Sequence, residues 1–184
     1  MIGRLLRPAT LLLVEMTVLL GLAYPIAMTG LARIAFPDQA QGSLVRRGAA
    51  LVGSSLIGQP FSDPGHFWGR PSATAPQPYN ALASGGSNLG PLNPALADSV
   101  RSAALALRSA DPGSRGAIPV DLVTASASGL DPDISVAGAL FQAERVARAR
   151  GMTQAEVERL IDAHRRGRLL GVLGEPRVNV LELN

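Results

Sequence analysis

Between Arg7 and Arg33 the chain is almost unbroken in apolar residues, ATLLLVEMTVLLGLAYPIAMTGLA, with Glu15 as its one charge. Wound as an α-helix, that run is long enough to cross roughly 30 Å of hydrocarbon. It reads as a membrane span. A signal peptide shares part of the profile, because Arg4 and Arg7 make a basic leader and Gly30-Leu31-Ala32 a small-x-small site. The apolar core of a signal peptide, however, extends about 7 to 15 residues, and this one is longer, so a retained anchor is the favoured reading. Pro25 is expected to kink the helix, which membrane spans tolerate. Arg4 and Arg7 lie before the span, and Arg33, followed by Asp38, lies after it. The bias favours an N-terminus inside, diluted by Arg46 and Arg47.

Past the span the hydrophobic period shortens and breaks. Apolar runs on either side of Arg47-Gly48 in GSLVRRGAALVGSSLIGQPF predict a β-hairpin. Asn93 followed by Pro94 opens a helix whose Leu96, Val100, Ala103 and Leu107 fall on one face, and Asp111-Pro112-Gly113 stops it. Ile118 to Thr124 reads as a short strand, ASASGLDPDIS as a polar turn, and Val136 to Arg150 as a helix capped by Gly151. Thr153 and Glu156 form a capping box, with Met152 and Val157 at the staple positions. The helix they start is expected to close on Arg165-Arg166-Gly167, where basic side chains meet the negative end of its dipole. A last strand is expected over Val178 to Leu183. The fold class is therefore α+β: a single N-terminal transmembrane helix followed by one extracytoplasmic α+β domain, without internal repeats. Expected boundaries are a short cytoplasmic N-terminus at 1–8, the transmembrane helix at 9–32 and the domain at 33–184.

Residues 67 to 94, FWGRPSATAPQPYNALASGGSNLGPLNP, follow neither period. Proline removes donors and glycine admits positive φ, so the segment must fold as successive turns. Loops of that length are usually functional or disordered. Phe67, Trp68, Tyr79, Leu82 and Leu89 supply buriable anchors, which favours order.

Charge and composition change the picture mainly by exclusion. All seventeen basic residues are arginine, against fourteen acids, and they are scattered, which gives no case for nucleic acid. Without lysine there is no Walker-type phosphate loop, Schiff base or Ser-x-x-Lys nucleophile. The absence of cysteine permits either redox compartment. His66 and His164 are the only histidines and lie far apart, so no metal site is expected. Gly85-Gly86-Ser87-Asn88-Leu89-Gly90 misses the spacing of a hydrolase elbow by one residue, and Asp131 and Asp133 read as turn and cap residues. Two candidates remain. Ser84-Gly85-Gly86-Ser87-Asn88 can form a nest of backbone amides for an anion, although capping a neighbouring element is the favoured use of those amides. Glu15, within roughly 40° of Thr29 on an ideal wheel, either marks a contact with a partner helix or reaches the headgroups.

The runs Gly58-Gln59 to Phe61, Phe67-Trp68-Gly69-Arg70-Pro71-Ser72-Ala73-Thr74, Tyr79-Asn80 and Ala83 to Pro91 resemble the C subunit of the bacterial Kdp potassium-transporting P-type ATPase. The resemblance continues through Asp121 to Ser126, Gly129-Leu130-Asp131-Pro132 and Gly174 to Asn184. It implies a non-catalytic subunit of a high-affinity potassium pump in the bacterial inner membrane, single-pass with a cytoplasmic N-terminus. Its partners would be a channel-like potassium-translocating subunit and a P-type ATPase subunit. The family resemblance also implies a catalytic chaperone that raises the ATP affinity of the ATPase subunit, with Gln59 and the Ser84-Gly85-Gly86 region as nucleotide-related candidates and no tightly bound cofactor. If the domain lies outside, the bilayer separates those residues from cytoplasmic ATP, and the effect must be allosteric. The competing functions are a membrane-anchored extracytoplasmic solute-binding module and a hydrolase.

Overall fold

In the computed structural model, which describes residues 2–184, the chain divides into a unit ending at Leu44 and a unit from Val45 to Asn184. The first is a helical rod in which Arg4–Ala35, 32 residues, is long and apolar enough to cross a membrane. At 1.5 Å per residue it is about 48 Å long. Its apolar side chains are exposed all round, as lipid-facing residues are. α1 (Ile2–Val18) and α2 (Tyr24–Ala35) are joined by a π-helical turn over Leu19–Ala23, in which the Tyr24 N–H donates to the Leu19 carbonyl. Pro25, with no N–H, cannot continue the α ladder, and the widened turn sits immediately before it. The expected disturbance at Pro25 therefore takes the form of a π-turn. A short α3 (Pro37–Ala40) follows.

The expected hairpin, β1 (Leu44–Arg47) and β2 (Ala50–Ser54), starts at the last residue of the first unit and runs into the second. After the long loop comes α4 (Pro94–Ala110), with the Asn93 side chain accepting the Ala95 N–H at 3.0 Å. A three-stranded antiparallel sheet follows in the order β3 (Asp133–Ser135), β5 (Arg177–Asn179), β4 (Arg165–Arg166). Its register sets Ile134 opposite Val178, both fully buried. α5 (Val136–Arg150) presents Ala139, Ala143 and Val146 to the core, and α6 (Gln154–Ala163) adds Val157 and Ile161. Phe67 enters the same cluster from the loop, and α7 (Val180–Leu183) closes it with Val180 and Leu183.

Several expectations about local structure are corrected. Ile118 to Thr124 is no strand but a 3₁₀ turn at Val120–Leu122. Val120 is exposed while Leu122 is buried, so the alternation that reads as one face in the sequence is split by the turn, and Pro119 could not donate to a ladder. Asp133–Ser135, read as part of a polar turn, pairs with β5, although Asp131 still accepts the Asp133 N–H and Ser135 still caps α5 through the Gly138 N–H. Arg165 and Arg166 leave the helix and form the edge strand, opposite Val178 and Arg177, after His164 caps α6. The terminal strand stops at Asn179, because its side chain accepts the Glu182 N–H at 3.1 Å and starts α7. The capping box at Thr153 and Glu156 is formed, and its bonds from the Thr153 backbone and hydroxyl hold the Glu156 carboxyl below the usual range.

Candidate functional site

The loop from Phe67 to Pro94 is held by side chains that take over the backbone pairing a sheet would supply. Ser72 Oγ donates to the Gly129 carbonyl at 2.6 Å and accepts the Tyr79 N–H at 2.9 Å. Thr74 Oγ1 donates to the Gln77 carbonyl and accepts the Asn80 N–H. Asn80 in turn donates to the Ala75 carbonyl and caps the short turn at Ala81–Ala83. The hydroxyls and amides of the RPSATAPQPYN run are thus the loop's own scaffold. Of the expected anchors Phe67 is fully buried and Trp68, Tyr79 and Leu89 partly so, whereas Leu82 is 98% exposed and anchors nothing in this chain.

Tyr79 is the hub of the loop. Its hydroxyl donates to the Arg70 carbonyl at 2.6 Å, and its ring lies between two glycines. A Cβ at Gly58 would stand 2.3 Å from Cε1, and one at Gly69 2.6 Å from the hydroxyl, so both positions must lack a side chain for the ring to fit. Burial, then the neighbouring Asp131 carboxylate, push the Tyr79 phenol up to about 12, with Arg70 opposing. Arg70 pairs with Asp131 at 3.1 Å and also donates to the Ala125 carbonyl, tying the loop to the segment before β3. Tyr79, Gly69 and Arg70, with Gln59, Phe61, Trp68, Leu107 and Leu122, line a mostly apolar cleft of about 240 Å³.

Arg145 is almost fully buried with its guanidinium over the ring of Trp68, which lines the cleft, 4.6 Å from the centroid. It donates to the Pro64 carbonyl and to Gln142 Oε1. Burial lowers its pKa from the ordinary value, against the pull of Asp111 and Asp63.

Gln59, the first sequence candidate, lines this cleft, but its Nε2 donates to the Val52 carbonyl at 2.8 Å. The Ser84–Asn88 turn lies elsewhere. The Gly85 N–H donates to the Ser128 carbonyl at 2.8 Å, Ser84 Oγ reaches the same oxygen at 3.1 Å, and Gly86 packs on Ala127. Gly129, at φ +67°, permits this docking, since a Cβ there would meet the Gly85 oxygen at 2.7 Å. Ser87 lines a different cleft, sharing Pro71 and Ser72 with the first, and Asn88 holds a positive φ at the turn. Gln59 and the glycine turn therefore do not converge on one cavity. Glu15 lies in α1 and Thr29 in α2, both exposed. The intervening π-turn takes up one extra residue and rotates α2 by about 100°, which turns Thr29 off the Glu15 face of an ideal wheel.

Sequence reasoning missed the residues that organise the loop, chiefly Arg70, Asp131, Gln142 and Asn184. The available signal was composition, since Gln142 and Arg145 are polar residues on the core face of a helix. Among the described residues no group of three or more His, Asp or Glu converges as a metal site.

One apolar helix of membrane-spanning length followed by a small α+β domain, whose polar loop residues mostly bond to its own backbone, defines a candidate anchored binding or assembly protein. Similarity to known proteins places it further. Residues 6–184 match the family described as KdpC, K+-transporting ATPase, c chain. The "Potassium-transporting ATPase KdpC subunit" of Variovorax paradoxus is 65% identical over 99% of this chain and 94% of its own. Those of Sorangium cellulosum and Methylibium petroleiphilum are 62% and 63% identical over 97% and 98% of this chain, and 94% of each of theirs. The chain belongs to the KdpC family.

Proposed function

We propose that this chain is a non-catalytic accessory subunit of an ATP-driven potassium-uptake pump. The N-terminal helix anchors it in the bacterial inner membrane with the N-terminus cytoplasmic and the domain outside. It holds together a channel-like potassium-translocating subunit and a P-type ATPase subunit, which carries out hydrolysis. The observation that carries this reading is the family match from residue 6 to residue 184, which takes in both the helix and the domain.

The assisting role in ATP affinity is allosteric on this reading. Gln59 and the Gly85 amide are already bonded to Val52 and Ser128, which favours a structural use of both motifs over a nucleotide pocket. Reciprocal linkage allows a coupling of about 1 to 3 kcal/mol between distant sites without shared contacts.

The test uses the full chain carrying a purification tag in native membranes. Large multispanning proteins are expected to copurify with it, and the pump assembled without it is expected to need more ATP for half-maximal turnover. The purified full chain in detergent is expected to bind ATP in no saturable way at millimolar concentration. Saturable binding abolished by Gln59→Ala would overturn the allosteric reading, and recovery of the chain as a free monomer with turnover of its own would overturn the accessory one.

A further inference from the structure

Between β4 and β5 the chain folds back on itself as a hairpin whose tip, Leu169-Leu170-Gly171-Val172-Leu173, is aliphatic apart from its glycine. Leu169 and Leu173 exchange backbone hydrogen bonds of 2.8 and 3.0 Å across a three-residue loop. Leu169, Leu170, Val172 and Leu173 are 67%, 84%, 73% and 58% exposed. Hairpin tips ordinarily carry Gly, Asn or Asp, whose backbones accept the positive φ such turns need. Here Leu170 holds φ +53° beside Gly171 at +78°. A bulky side chain in the left-handed region is an outlier, and outliers of this kind persist where function needs them. The tip keeps leucine against its local preference.

The neck of the hairpin is braced by ion pairs, among them Arg177 with Asp133 at 2.7 Å, which leave one arginine in excess. Arg168 pairs with Glu175 at 2.9 Å and Arg166 with Glu182 at 2.6 Å. Exposed Arg165 has no carboxylate within ion-pair distance among the described residues. Arginine stems of this kind lie along apolar matter while their heads stay among water and phosphates.

We propose that this tip inserts into the lipid leaflet next to which the domain is tethered, with the neck arginines at headgroup level. A bilayer fits better than a protein pocket for two reasons. Protein hot spots are enriched in Trp, Tyr and Arg and poor in leucine and valine, and this convex tip offers no polar group to fix an orientation. Lipid also remains within reach, since Ala35 at the end of the anchor helix and Val45 at the start of the domain unit are ten residues apart, at most about 35 Å of extended chain. The proposal needs the helix to be a retained anchor but not the accessory role in the pump.

The chain has no cysteine, so Val172→Cys supplies one attachment point for an environment-sensitive fluorophore. The full chain is reconstituted in phosphatidylethanolamine–phosphatidylglycerol vesicles. The Val172 probe is expected to be quenched by lipids brominated near the top of the acyl chain and shielded from aqueous iodide. A probe at Leu82→Cys, fully exposed in the same unit, is expected to behave in the opposite way. Leu170→Asp with Leu173→Asp should reduce Val172 quenching to the Leu82 level while circular dichroism shows the helices intact. A probe at Leu19→Cys reports the anchor itself. Lipid quenching at Leu19 with none at Val172 overturns the proposal, and quenching at neither overturns the anchor on which it rests. Shielding of Val172 from iodide without bromine quenching, seen only when the other pump subunits are present, overturns it in favour of a protein partner.

Discussion

Gln142 holds the backbone of Trp68 with both ends of its amide, Oε1 accepting the N–H at 2.8 Å and Nε2 donating to the carbonyl at 3.1 Å. Asn184 does the same to Phe67, at 2.8 and 3.0 Å. Two consecutive loop residues thereby receive strand-like pairing from side chains contributed by α5 and by the residue after α7.

Gln142→Leu leaves both Trp68 groups and one bond from Arg145 without a partner. The expected loss is about 2 to 6 kcal/mol, since each of the two Trp68 groups left unpaired costs about 1 to 3. Thermal unfolding of the full chain in detergent, followed by fluorescence of the sole tryptophan, is expected to show a lower midpoint.

The glycines beside Tyr79 give a sharper test. Gly69→Ala puts a methyl 2.6 Å from the Tyr79 hydroxyl, while the next ring atom is 3.7 Å away. The substitution should cost about 1 to 3 kcal/mol in the native chain and clearly less in a Tyr79→Phe background, where the clashing oxygen is gone. Gly58→Ala meets the ring itself at 2.3 Å and the Asp131 carbonyl oxygen at 2.7 Å, and Tyr79→Phe should not relieve it. A double-mutant cycle of unfolding free energies checks both.

Tyr79 also makes stability fall in alkali. Its folded pKa of about 12 lies above the ordinary 10, so the unfolded state loses the proton first. Stability is unaffected below about pH 10 and declines from there to about pH 12, by at most about 3 kcal/mol. Tyr79→Phe is expected to be less stable at neutral pH, having lost its bond to Arg70, but to show a shallower decline between about pH 10 and pH 12 in thermal melts.

Glu15→Leu bears on the membrane segment. If Glu15 meets a polar group on a partner helix, the substitution is expected to lower recovery of accompanying pump subunits in detergent, with an effect of up to about 3 kcal/mol. Undiminished recovery would mean that the carboxylate reaches the headgroups.

Much of the local structure was legible because it depends on neighbours in sequence. Thr153 with Glu156, Asn93 with Pro94 and Gly151 after Arg150 each determine a helix end within one turn of chain, and the structure has helix ends at those places. The failures share a cause. Ile118 to Thr124 has strand-forming composition, yet Asp121 accepts both the N–H and hydroxyl of Ser135, fourteen residues away, and this accompanies a 3₁₀ turn. Arg165 and Arg166 suit a helix end, yet β5 offers an edge to pair with.

The candidate motifs divide in the same way. Gly-Gly-Ser chemistry is visible in the sequence as a nest of amides, but nothing near it in sequence says that the Ser128 carbonyl will take the Gly85 N–H. The sequence by itself determined the membrane-length helix, the family and the capped helices, because apolar length, motif order and caps are properties of contiguous residues. Tertiary structure decided that the loop is organised around Tyr79, Gln142 and Asn184 and that a leucine hairpin stands clear of the core. Both depend on which distant groups meet, and a buried hydrogen-bonding group takes whichever partner the packing brings to it.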